Sequence, residues 1–157
     1  MMRISIVSCL VAGMVLICES RPVPCWPYEK LAKEADLIVI ATPAATKETK
    51  EKLDIPSVFR RGPDGICRPV PGMGLETTFN VLAVLKGNKD LKSFVFFHLR
   101  EAEPQTVSVN GPGLVSFDAR QKKRFLLFLK RDADGRYSAL TGQTDPDGSV
   151  KDLGTYP

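Results

Sequence analysis

Short runs of β-forming residues, each stopped by a polar or glycine-bearing turn, constrain this chain more than any other feature. Glu76-Thr77-Thr78-Phe79-Asn80-Val81-Leu82-Ala83-Val84-Leu85 halts at Lys86-Gly87-Asn88, and Ser93 to Arg100 follows with the aromatic pattern Phe94-Val95-Phe96-Phe97-His98. Arg124-Phe125-Leu126-Leu127-Phe128-Leu129-Lys130 and Arg136-Tyr137-Ser138-Ala139-Leu140 flank Asp132-Ala133-Asp134-Gly135, a strong hairpin signal. Branched and aromatic side chains fit a pleated surface, whereas glycine and aspartate supply the backbone angles of tight turns. A further run, Leu37-Ile38-Val39-Ile40-Ala41, is continuously apolar and reads as a buried strand. Before it, Pro27 to Asp36 places Tyr28, Leu31, Ala32 and Ala35 on one helical face, and pairs Glu29 with Lys33 and Lys30 with Glu34 on the other. Five strands with one short leading helix predict an all-β domain, a small barrel or a sandwich.

Between these runs the composition changes. Thr42 to Leu75 opens with the charged stretch Lys47 to Lys52 and is rich in proline and glycine from Pro56 to Gly74. A long loop is expected there, because proline lacks the donor that a central strand needs. Connections of that length are commonly functional or mobile. A second loop, Glu101 to Lys123, holds Val107-Ser108-Val109 and Leu114-Val115-Ser116-Phe117 around Asn110-Gly111-Pro112-Gly113, which predicts a small hairpin. Asp132 to Gly135 and Asp145-Pro146-Asp147-Gly148 resemble the start of a calcium loop without its later acidic ligands, so both are read as turns. Gly72-Met73-Gly74 and Gly111-Pro112-Gly113 do not lie between a strand and a helix start, as a phosphate cradle does.

The opening stretch speaks to location. Met1-Met2-Arg3 leads into an apolar run from Ile4 to Ile17 and then Cys18-Glu19-Ser20-Arg21. A basic start, a core short for a stable anchor, and small residues at −3 and −1 of a cut after Ser20 are marks of an export signal. Residues 1–20 are therefore expected to be a signal peptide and 21–157 a single secreted, periplasmic or extracellular domain. A retained anchor lacks a flanking stop-transfer pattern, and lipid attachment at Cys18 wants a small residue where Ile17 stands. One base and one acid leave with the signal, so the net charge stays +4. No dense basic block stands out, and export argues against a nucleic-acid partner.

Export leaves Cys25 and Cys67 as the cysteines of the mature chain, and in an oxidising compartment two thiols most simply form one bridge. Such a bridge would pin the Pro56 to Gly74 loop to the N-terminus and bring Arg60, Arg61 and Arg68 beside Cys25 and Trp26, the candidate partner-binding surface. Trp26, the single tryptophan, is read either as an interface anchor or as a core cap on the end of the barrel. One histidine and two distant thiols supply no metal spacing, and no cofactor is expected. His98 has no nucleophile motif around it, so an enzyme is not expected either. Alternation sends Phe94, Phe96 and His98 to one face of their strand and Phe97 to the other, which makes the first set the alternative ligand face, suited to an oligosaccharide.

The order of these features resembles the inhibitory domain of tissue inhibitors of metalloproteinases. The likeness rests on Cys25 near the mature terminus, Leu31-Ala32-Lys33-Glu34-Ala35-Asp36-Leu37-Ile38-Val39-Ile40, Phe79-Asn80-Val81-Leu82-Ala83-Val84-Leu85-Lys86-Gly87, and Lys122-Lys123-Arg124-Phe125-Leu126-Leu127-Phe128. It implies an OB-fold, a closed five-stranded barrel. In the family a Cys-x-Cys at the mature terminus grips the protease zinc; here Cys25 holds the first place and Pro27 the second. What the resemblance implies for function is a non-enzymatic domain that binds another secreted or envelope protein, with a protease as the specific case.

Overall fold

The computed structural model of the chain describes residues 25–103 and 113–155. The expected signal peptide and the Val107-Ser108-Val109 half of the small hairpin lie outside those residues.

Helix α1 (Tyr28–Glu34) is followed by strands β1 (Leu37–Arg61), β2 (Cys67–Lys86), β3 (Ser93–Glu101), β4 (Lys123–Arg131), β5 (Tyr137–Ala139) and β6 (Val150–Thr155), with 3-10 turns at Ala119–Gln121 and Pro146–Gly148. Five strands close a ring in the order β1-β2-β3-β5-β4, and β1 returns to β4. The closing ladder runs from Leu37 opposite Leu129 to Ala41 opposite Phe125. β3 and β5 meet in parallel through Phe96 and Tyr137. The all-β class, the leading helix and the closed five-stranded ring are as expected.

Alternation fills the ring. Leu37, Val39 and Ala41 of β1 point inward with Phe79, Phe94, Phe96, Phe125, Leu127 and Leu129. Phe79 sits at the centre, stacked on Phe94 at 5.3 Å and edge-on to Phe117 at 4.9 Å. Such aromatic pairs favour offset or edge geometry because the negative ring face attracts a positive ring edge. The opposite parity faces outward, where Ile38 and Phe128 receive Leu31 of α1 and Ala35, which caps it. Lys86 ties the helix end to β2, its Nζ donating to the carbonyls of Ala32 and Lys33 at 2.9 Å each. A cation there satisfies carbonyls that the last helical turn leaves open.

The long loop expected over Thr42 to Leu75 is corrected by the structure: β1 and β2 continue through it as one hairpin, paired from Ile38 and Lys86 out to Arg61 and Cys67. Beyond Ala41, β1 no longer pairs with β4, and below Gly72, β2 no longer pairs with β3. Both are edge strands there, and edge strands tolerate proline. Register shifts between Pro43 and Ala45, Glu48 and Lys52, and Asp54 and Phe59 absorb the remaining irregularity. At the tip Gly65 adopts φ +77° and the amide of Gly62 donates to the Ile66 carbonyl at 2.9 Å.

β6 was not anticipated. It continues along the same side of β4 as β5, which pairs with Leu129 to Arg131 while β6 pairs with Lys123 to Leu127. The excursion 140–149 between them is held by Ser149, whose hydroxyl lies 2.7 Å from that of Thr141. Asp132 to Gly135 forms the expected turn, with the Asp132 amide donating to the Arg136 carbonyl at 2.8 Å.

Gly74 marks the closest approach in the hairpin. A Cβ built there would collide with Thr49 Oγ1 and come within 2.8 Å of the Phe97 ring. Gly74→Ala is expected to cost about 1–3 kcal/mol, the usual penalty of overpacking, read as a lower urea midpoint with unchanged slope. An unchanged midpoint would show that the two strands do not pack this closely.

Candidate functional site

The distal part of the β1–β2 hairpin gathers exposed apolar and cationic side chains away from the ring. Arg60 stands opposite Arg68, and Arg61 opposite Cys67. Like charges directly across a ladder repel, and two of these are answered locally. Arg60 Nη2 donates to Glu101 Oε2 at 3.0 Å, while Arg68 binds both carboxylate oxygens of Asp64, Nη1 to Oδ1 at 3.1 Å. Arg68 is the main reason the Asp64 carboxyl titrates below the usual range. Arg61 is exposed and makes no ion pair among the described residues. Beside it Phe59 is 64% exposed and Ile66 56%. A shallow groove of about 520 Å³ runs between Arg60, Arg61, Pro63, Arg68 and Pro69.

The strand pair that carries this end packs against β3. Ile55 and Val70 are buried with Phe97 and Leu99 of β3 in a second core on the outer side of the sheet, joined by Val58 and Leu114. Gly72 lets the strands close, since a Cβ there would lie 2.9 Å from Ile55 Cγ1. Thr49 Oγ1 donates to the Gly74 carbonyl at 3.2 Å.

Arg136, from the β4–β5 turn, clamps the hairpin base. Its Nη1 donates to Glu51 Oε1 at 2.7 Å and Glu76 Oε1 at 3.2 Å, its Nε to Asp134 Oδ2 at 2.7 Å, and its guanidinium lies 4.3 Å from the Phe97 ring centre. Glu51 first, then Asp134, raises the affinity of this guanidinium for its proton. Lys47, 2.8 Å from Glu76, is the main cause of the lowered Glu76 pKa. A planar fork that serves three carboxylates while stacking on an aromatic ring is a geometry lysine does not reproduce.

The structure separates the residues that a bridge was expected to unite. Both thiols are free and exposed. Cys67 belongs to the far end of the hairpin ladder, whereas Cys25 directly precedes the helix segment that packs at the beginning of β1. The disulfide between Cys25 and Cys67, and the composite surface of Cys25 and Trp26 with Arg60, Arg61 and Arg68, are therefore corrected: only the three arginines come together. Trp26 is half-buried against the α1 cluster, with Lys30 Nζ 3.7 Å from its ring centre. It packs on the outside of the ring.

The alternative ligand face is corrected as well. Phe94, Phe96 and His98 point into the ring and are buried, because closure turns that parity inward. Phe97, of the other parity, lies under Arg136 in the second core. Neither side of β3 offers these rings to a ligand. His98 Nε2 lies 2.8 Å from the Thr77 hydroxyl, itself 2.8 Å from that of Thr46, so one chain of polar contacts links β3, β2 and β1. Burial pushes the imidazole pKa from 6.5 down to about 4. The Val115 backbone offsets part of that shift, yet no contact at Nδ1 meets hydrogen-bond geometry.

Among the described residues no group of three or more His, Cys, Asp or Glu side chains is placed to hold a metal ion. No protein-family model matches the chain, and no curated protein matches it. The clamp of Arg136 on Glu51 and Glu76 escaped the sequence reading. Its partners lie 85 and 60 residues away in the chain, and the local Asp-Gly-Arg pattern signals only a turn.

Two outcomes follow for this region. Arg136→Ala is expected to lose about 2 kcal/mol, the scale of a hydrogen bond to a charged group, with Arg136→Lys restoring less than half of it in urea unfolding. Full recovery by lysine would refute the fork geometry. For His98, the unfolded chain takes up the proton below about 6.5 and the folded chain only below about 4, so folding becomes less favourable as pH falls through that window. Stability is expected to drop by about 3 kcal/mol between those limits. Above about pH 5.5, where the Glu76 and Asp64 carboxyls do not titrate, the slope should vanish in His98→Gln; a slope that survives there assigns the effect to another group.

Proposed function

We propose that this chain is an exported, non-enzymatic binding domain of OB-fold type, and that the distal end of the β1–β2 hairpin is its contact with a partner protein. The observation that carries this reading is the exposed set Phe59, Arg61 and Ile66 on a strand pair whose base is fixed by a second core and by Arg136. Aromatic and arginine side chains dominate the energetics of protein interfaces, and presenting them on a rigid element lowers the entropy lost on binding. A groove lined by guanidinium groups favours an acidic stretch on the partner. The resemblance to tissue inhibitors of metalloproteinases supports a specific version, in which the partner is a secreted protease. Cys25 carries a free thiol in that version, and the hairpin end supplies the contact.

Titrating a panel of metalloproteases with the purified protein tests the specific version. Stoichiometric loss of activity in at least one protease is expected, and Phe59→Ala with Arg61→Ala should weaken the inhibition by tenfold or more. A panel that stays fully active rejects the inhibitor reading. Inhibition untouched by the double variant would move the contact away from the hairpin.

A further inference from the structure

Two β-bulges near the end of β2 change which of its residues face the interior. Ile40 pairs with Ala83 and Ala41 with Val81, which leaves Leu82 as an extra residue; Ile38 pairs with Lys86 and Val39 with Val84, which leaves Leu85 as another. Val81 and Val84 keep their places against the interior. Leu82 and Leu85 are consequently 54% and 55% exposed. A bulge re-aims the side chains that follow it: strict alternation from Val81 already turns Leu82 outward, and the first bulge moves the next inward place from Ala83 to Val84, so that Leu85 turns outward too.

A groove of about 660 Å³ runs beside Leu82, walled by Ile40, Pro43 and Ala83 and rimmed by Lys122 and Arg124. Every charged residue in its lining is cationic. Lys122 adopts φ +49°, a left-handed conformation ordinarily given to glycine, and has no ion pair among the described residues. That conformation closes the 3-10 turn Ala119–Gln121 and leaves the Lys122 side chain exposed. The neighbouring strand edge is closed to other chains, because Lys89 Nζ donates to the carbonyls of Val84 at 2.8 Å and Leu85 at 3.2 Å. The face is open and the edge is not.

We propose that this outer face of β1 and β2 is a second docking surface, which takes an acidic amphipathic segment of a partner protein. The cationic rim selects carboxylates and disfavours a second copy of a chain whose net charge is +4. The concavity favours inserted apolar side chains over the flat surface of a bilayer. The surface is separate from the hairpin end, and the proposal does not rest on the reading given to that end.

Methyl-labelled protein titrated with a 14-residue helix-forming peptide provides the test, the peptide carrying leucines at i, i+3 and i+7 flanked by glutamates. A lysine-flanked counterpart and vesicles of phosphatidylserine with phosphatidylcholine are run beside it. The glutamate peptide is expected to shift the methyl signals of Ile40, Leu82 and Leu85 saturably. Its affinity should fall at least tenfold in Leu82→Ser with Leu85→Ser, and likewise in Lys122→Glu, which alters only an exposed side chain and keeps the test open if the double variant does not fold. Equal binding of the lysine peptide, shifts confined to other methyls, or binding to the vesicles alone would each overturn the proposal. Phe59→Ala leaves this titration unchanged, so failure at one surface is distinguishable from failure at the other.

Discussion

The structure depends on β1 being shared by two neighbours near its start. From Ile38 to Ala41 it pairs with β2 on one edge and β4 on the other, and that double pairing closes the ring. Closure removes the open edges that a flat sheet of this size exposes. It also explains the unbroken apolar run: Leu37, Val39 and Ala41 fill the interior while Ile38 receives the helix on the outside. A strand buried on both faces has no position left for a polar residue. Once β4 is lost beyond Ala41, the same strand becomes an edge, and its sequence turns polar, proline-bearing and irregular.

The hairpin that leaves the ring is stiff because three independent contacts brace it. Hydrophobic burial joins Ile55 and Val70 to β3, glycines at 72 and 74 permit the approach, and Arg136 reaches from the opposite loop to hold Glu51 and Glu76. The clamp is partly buried, so its charges are less screened than those of a surface pair. The chain's own side chains thereby fill the outer face of β2 and β3. The hairpin end and the bulged face of β1 and β2 stay accessible, and these are the two surfaces proposed for partners above.

The apolar runs from β1 to β5, the helix and the Asp132 to Gly135 turn were legible because each is a local pattern, written in periodicity and turn chemistry. The course of Thr42 to Leu75 was not. Proline and glycine argue against a central strand, but no local pattern marks β1 and β2 as edge strands there, where the missing donor of Pro69 or Pro71 disturbs nothing beyond the hairpin itself. β6 was hidden for a related reason: Val150 to Thr155 is short, and its place beside β4 depends on the excursion 140–149 turning back. At the candidate site, Arg60, Arg61 and Arg68 were expected beside Cys25 and Trp26 through a bridge; they lie at the hairpin end, and the Cys25 thiol is free. The aromatic face of β3 was assigned the right parity and the wrong side, since alternation separates two faces without saying which one closure turns inward.

Amide hydrogen exchange resolved along Thr42 to Leu75 tests the central claim most directly, because a braced hairpin and a loop differ most in backbone protection. The account predicts protected amides on both strands flanking the second core, around Ile55 and Val70, with rapid exchange confined to the tip between Gly62 and Ile66. Uniform, unprotected exchange throughout the segment would contradict it and would remove the rigid support from which the hairpin end derives its proposed role.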